Sequence, residues 1–203
     1  MLENSEKAKI EKHIDEINTK IMEETQKFVA NKMSNKQVIE RTIQITVNKF
    51  TPESKMIMSS AYNMMMKHTL EKPMFKAANN KAAFYQMNIL SELNSKFIFD
   101  VPNHIDDEEN EKEISKWIAV GAIVVLTGGG ISFRMEMITP IAMAVIIAGA
   151  IIGYKMAEIR KAQDVMPFVV EYLRNVAVTI MQWLDGIEKY YDARVEDLER
   201  GLE

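Results

Sequence analysis

Two apolar runs, 117–133 and 137–154, stand almost end to end, parted only by Arg134, Met135 and Glu136. As α-helices they would reach roughly 26 and 27 Å at about 1.5 Å per residue, near the ~30 Å of a bilayer's hydrocarbon core. Neither run carries a polar stripe, so a bundle in water would have to cover both on every face. The expected fold is therefore all-α: a helical bundle with an apolar, transmembrane helical hairpin and a long amphipathic helix after it.

The residues of the hairpin fit that expectation. Trp117 and Tyr154 close its two ends on one side, where interfacial aromatics belong. Gly121 and Val125 lie in the first arm, Pro140 and Ile146 in the second. Gly149 and Gly153 form a small-xxx-small pair of the kind that lets helix backbones approach closely in lipid. Arg134 and Glu136 give a nearly neutral tip. Lys112 and Lys116 before the hairpin, and Lys155, Arg160 and Lys161 after it, place both flanks on the cytoplasmic side. Gly128, Gly129 and Gly130 weaken helix continuation. A turn starting there would leave a first arm of only ~16 Å, re-entrant rather than spanning.

Outside the hairpin the chain is polar: 27% of its residues are charged and mean hydropathy is -0.14. The net charge of -4 and an acidic isoelectric point near 5.6 argue against nucleic acid as a partner. With no cysteine, disulfides, thiolate chemistry and Cys-based zinc sites are excluded. The first residues, Met1-Leu-Glu-Asn-Ser-Glu-Lys, contain no apolar run and no signal peptide. Together with the hairpin this predicts an integral membrane location with both termini in the cytoplasm.

The division expected is a helical region over 1–105, an acidic connector over 106–116, the hairpin over 117–154 and a coiled-coil-like helix over 155–203. In the first region Ile10, Ile14, Ile17, Ile21 and Phe28 recur at helical spacing along a charged helix, with Glu24 interrupting the seam. Ser34-Asn-Lys-Gln37 reads as a capping box that starts a second helix at Asn35. Its face is Ile39, Ile43, Val47 and Phe50, although the alternation Ile43, Ile45, Val47 also suits a strand. Thr51-Pro-Glu signals a further helix start, opening a stretch rich in methionine (Met56, Met58, Met64, Met65, Met66). These methionines suit either core filling or a surface that repacks between partners. Pro73 marks a break, and 74–96 reads as one helix carrying Phe84, Met87, Leu90 and Leu93. An extended connector, 97–102, follows.

Pro167 kinks or restarts the last helix. Leu173, Val176, Ile180, Trp183, Ile187 and Tyr190, with Leu198 beyond, step alternately by three and four. Such a helix-packing face wants a partner, either the N-terminal stripe or the same helix of another copy, which makes a homo-oligomer the expectation.

Enzyme motifs are lacking. His13, His68 and His104 have no metal-ligand spacing, and the acidic run after His104 has no calcium-loop pattern. No phosphate loop or nucleophile elbow occurs. The expectation is a protein with no catalytic residue, cofactor or metal, whose partners are a lipid bilayer, copies of itself and another protein on its amphipathic helices. The layout resembles that of small membrane-acting effectors and the α-helical pore-forming proteins, in which long amphipathic helices carry a hydrophobic hairpin. The resemblance implies a membrane anchor or scaffold, or a pore former with a soluble latent state, but transfers no residue. A soluble bundle with the hairpin buried as its core is the remaining alternative.

Overall fold

The structure, a computed structural model, describes residues 1–97 and 163–202. Among the described residues all regular structure is helical: α1 (Asn4–Ala30), α2 (Asn35–Glu71), a 3₁₀ turn (Pro73–Lys76), α3 (Ala78–Gln86), α4 (Ile89–Phe97) and α5 (Met166–Leu202). The all-α expectation holds. The hairpin, the acidic connector and His104 lie outside the described residues.

Helix α1 buries the predicted stripe, Ile10, Ile14, Ile17 and Ile21. Glu24 turns out of the seam to meet Lys49 of α2 at 2.8 Å, and Thr25 takes the buried position. The helix ends in a double reverse bond, Met33 N to Phe28 O and Lys32 N to Val29 O, with Lys32 left-handed at φ 58°. That motif normally recruits glycine; the missing glycine hid the stop in the sequence.

The Ser34–Gln37 capping box forms as predicted, so α2 starts at Asn35 and the strand alternative for 43–47 is settled in favour of helix. The start predicted at Thr51-Pro52 does not occur. Helix α2 runs 37 residues straight through Pro52. Thr51 Oγ1 donates back to the Val47 carbonyl, and Phe50, Ser54, Ile57 and Met58 continue one buried face across the site. Tertiary packing outweighs the local stop signal. Met58 and Met65 fill the core, whereas Met64 and Met66 are half-buried and Met56 is exposed.

The single helix expected over 74–96 is also corrected. It is a 3₁₀ turn and two short helices, broken at Asn88, which is left-handed at φ 49°. Asparagine tolerates this conformation better than most residues do. Between the 3₁₀ turn and α3 the extended backbone at Ala77 sets Phe84 against Phe75 edge-on, ring centroids 5.8 Å apart.

Helix α5 starts with Pro167 in its first turn, where a missing N–H costs nothing. The Asp164 carboxylate accepts from the Met166 amide at 2.9 Å. Cross-bundle contacts fix the directions. Lys7 reaches Asp185 and Glu188, while Asn18 reaches Leu173, so α1 and α5 are antiparallel. Glu6 meets His68 and Glu24 meets Lys49, so α1 and α2 are antiparallel too. Short α4 runs against α5, from Glu92 beside Arg194 to Phe97 beside Tyr190. Its last described residue, Phe97, lies level with Gly186, where an added Cβ would meet the Phe97 ring at 3.8 Å.

The integral membrane location read from the sequence is corrected here. Among the described residues no helix is long and apolar enough to cross a membrane. Helices α2 and α5 span about 55 Å each, but both are amphipathic. Lys49, Glu53, Lys55 and Lys67 punctuate α2, and Glu171, Arg174, Asp185 and Lys189 punctuate α5.

Candidate functional site

The predicted packing face of α5 is where the elements converge. Leu173, Val176, Ile180, Trp183 and Ile187 are all at most 3% exposed, packed inside their own chain. The partner they meet is the N-terminal stripe, together with α2. Tyr190 is only half-buried. It is Tyr191, one position on, that enters the core, and Leu184 and Val195 extend the face. The hairpin positions Trp117 to Tyr154 lie outside the described residues.

Around the C-terminal half of α5 sits a set of polar clamps that no motif announced. Glu188 is 5% exposed. One carboxylate oxygen accepts from the Leu2 amide and the other from Lys7 Nζ, both at 2.7 Å. Its signal in the sequence is a charge at a core position, one turn after Leu184 and beside Ile187. The bond from Glu188 also holds the Lys7 ammonium above its ordinary pKa. Arg194 grips Glu92 of α4 through two bonds, Nε at 2.8 Å and an Nη at 2.9 Å, while the Tyr190 hydroxyl donates to the same carboxylate at 2.8 Å. The guanidinium contact holds Glu92 below the usual glutamate range. Lys96 lies 5.3 Å above the Tyr190 ring and completes this corner. Farther along, Lys72 pairs with Glu199 at 2.6 Å.

Three further interactions join α2 to its neighbours. The Tyr191 hydroxyl donates to the buried Thr69 hydroxyl at 2.9 Å, and Tyr62 packs edge-on against Tyr191 at 6.0 Å. Glu6 is held low, first by the Glu3 backbone amide and then by His68 Nε2, which lies 3.0 Å from it.

The N-terminal half of α5 sits over a different interior. Thr25, Thr42 and Thr46 are buried there. Thr25 and Thr42 share a bond of 3.0 Å, and each threonine donates or leans back onto its own helix. Asn18 Nδ2 donates to the Leu173 carbonyl at 3.3 Å. Three buried polar atoms in this region have no hydrogen-bond partner: Asn18 Oδ1, the Tyr172 hydroxyl and Trp183 Nε1. Tyr172 faces Thr46 without a well-formed bond, and burial pushes its hydroxyl pKa far up. Satisfying such groups is the rule in folded proteins, and each orphan costs free energy.

Chemically this is a device for holding helices together. Among the described residues no group of three or more His, Asp or Glu could hold a metal ion. The arrangement defines a helical bundle whose last helix is clamped at one end and packed over unpaired polar atoms at the other. No protein-family model matches the chain, and neither the curated proteins nor the solved structures contain a significant match to it.

Proposed function

We propose that this chain is a non-enzymatic, membrane-acting helical bundle that engages a bilayer through residues 117–154. The proposal is of action at a membrane, distinct from permanent residence in one. One observation carries it. The described residues on both sides of the apolar stretch belong to a single bundle with a common core. Its long helices turn charged faces outward, and the two apolar runs of 117–154 fall in sequence between the parts of the chain that build this core. A bundle carrying such a cargo is the layout of an effector that anchors to, or permeabilises, lipid. Self-association belongs to the same proposal, and since the α5 face is packed within the chain, copies would meet through that face only after the bundle opened.

The test is sedimentation with lipid vesicles combined with release of an entrapped dye, comparing the full chain with Ile146→Arg. A charge in the middle of a lipid-embedded helix costs about 2.5–3.5 kcal/mol on insertion scales. The full chain should sediment with vesicles and the variant should lose at least about tenfold in binding. Dye release alongside binding identifies a permeabiliser; binding without release identifies an anchor. A variant that binds as well as the parent contradicts the proposal. So does a parent chain that never binds while the variant aggregates, the behaviour of a hairpin buried as soluble core.

A further inference from the structure

Gly186 divides helix α5 at the point where its surroundings change. C-terminal to it lie Glu188 with Lys7 and the Leu2 amide, Tyr191 with Thr69, Arg194 with Glu92, and Lys72 with Glu199. N-terminal to it α5 buries its own Val169, Val176 and Ile180 and accepts the Asn18 bond at Leu173. Glu171 adds a polar interaction of its own, and Asp185, next to the glycine, shares Lys7 with Glu188 at the edge of the clamped half. Under that half lie the three unpartnered polar atoms, Asn18 Oδ1, Tyr172 OH and Trp183 Nε1. Each would regain a hydrogen bond to water if the half-helix lifted.

The glycine itself is not demanded by packing. A Cβ at position 186 would meet only the Phe97 ring at 3.8 Å, an ordinary contact. Glycine in a helix interior weakens the helix there relative to alanine. Here it stands level with Phe97, the last described residue of α4, whose ring is its nearest side-chain neighbour. From Gly186 back to Met166 the helix measures about 30 Å, a lever long enough to move its N-terminal end well away from α1 and α2.

We infer that α5 is hinged at Gly186: its N-terminal half opens from the bundle as one unit while its C-terminal half stays clamped. The inference concerns the bundle alone and stands whether or not the membrane-acting reading does. Its consequence is a conformational device. Opening would expose the apolar packing face of residues 169–183 to a new partner without unfolding the rest of the chain.

Residue-resolved amide hydrogen exchange on the full chain, without lipid, tests it. The opening predicts a step: amides 170–185 exchange at similar rates to one another, at least about tenfold faster than 187–198. Gly186→Ala should slow the first group about fivefold, the factor equivalent to roughly 1 kcal/mol of helix propensity, and leave the second unchanged. Tyr172→Phe, which removes an unpartnered hydroxyl while keeping the ring, should also slow the first group alone. Equal protection across Gly186, greater protection before it, or a smooth gradient from the helix start would each overturn the hinge. So would an effect of both substitutions spread evenly over the two halves.

Discussion

At the end of the bundle where α4 and the last turns of α5 meet α2, side chains from different helices satisfy one another: Arg194 and Tyr190 on Glu92, Tyr191 on Thr69, Lys7 on Glu188. At the opposite end the buried threonines also turn back on their own helices. Thr42 and Thr46 donate to carbonyls one turn earlier, and Tyr172, as deeply buried as Tyr191, faces Thr46 without a well-formed bond. Both interiors exclude water, but the first joins its last helix to its neighbours through several side-chain pairs. The second joins it through the Asn18–Leu173 bond and links α1 to α2 through Thr25–Thr42 and Glu24–Lys49. A bundle built this way has a firm end and a releasable end, and the releasable end is the one next to residue 163, where the described chain resumes.

The largest expected effect lies in the firm end. Leu93 is fully buried between α4 and the long helices, so Leu93→Ala should destabilise the whole chain by about 2–5 kcal/mol. Urea unfolding followed by circular dichroism measures it. A loss confined to a minor early transition would mean that α4 is not part of the main core.

Acid should act on the same end. Glu92 and Glu6 both titrate below the ordinary glutamate value of 4.5 in the folded chain. Their contribution is complete above that value and is lost as pH falls through their lower folded values. Stability measured between pH 6 and pH 2 should therefore fall steeply only below about 4.5, and Arg194→Gln, which removes the main cause of the Glu92 shift, should flatten part of that fall. An unchanged slope in the variant would remove Glu92 from the account.

The smallest effect is the most discriminating. Tyr191→Phe strands the buried Thr69 hydroxyl and should cost about 1–2 kcal/mol, whereas Tyr172→Phe removes a hydroxyl that has no partner and should be neutral or stabilising. Equal losses in a side-by-side melt would erase the difference between the two ends.

How much of this was legible in the sequence depends on the kind of signal. The stripe Ile10 to Ile21, the capping box at Ser34 and the face Leu173 to Ile187 were all readable, because periodicity and caps are local. Pro52 misled because a helix start signal is also local, while the buried face on either side of it is a tertiary fact. The breaks at Lys32 and Asn88 use left-handed residues other than glycine, so no glycine marked them. The clamps were least visible. Glu92 and Arg194 are about a hundred residues apart, and only the antiparallel fold of α4 on α5 brings them together. The membrane location was overread, since an apolar stretch in the sequence does not make the helices of the bundle membrane-spanning.

The central claim is that the bundle carries residues 117–154 and that these, not the bundle, act on lipid. Its most direct measurement replaces residues 98–162 with a flexible Gly/Ser linker. The linker must bridge about 30 Å, the separation of Gly186 from the start of α5, for which roughly 30 residues suffice. Folding and vesicle binding would then be compared with those of the full chain. The account predicts a chain that still unfolds cooperatively with high helical content and no longer sediments with vesicles. Vesicle binding equal to that of the full chain would contradict it, placing the membrane activity in the bundle itself, and so would a linker chain that fails to fold.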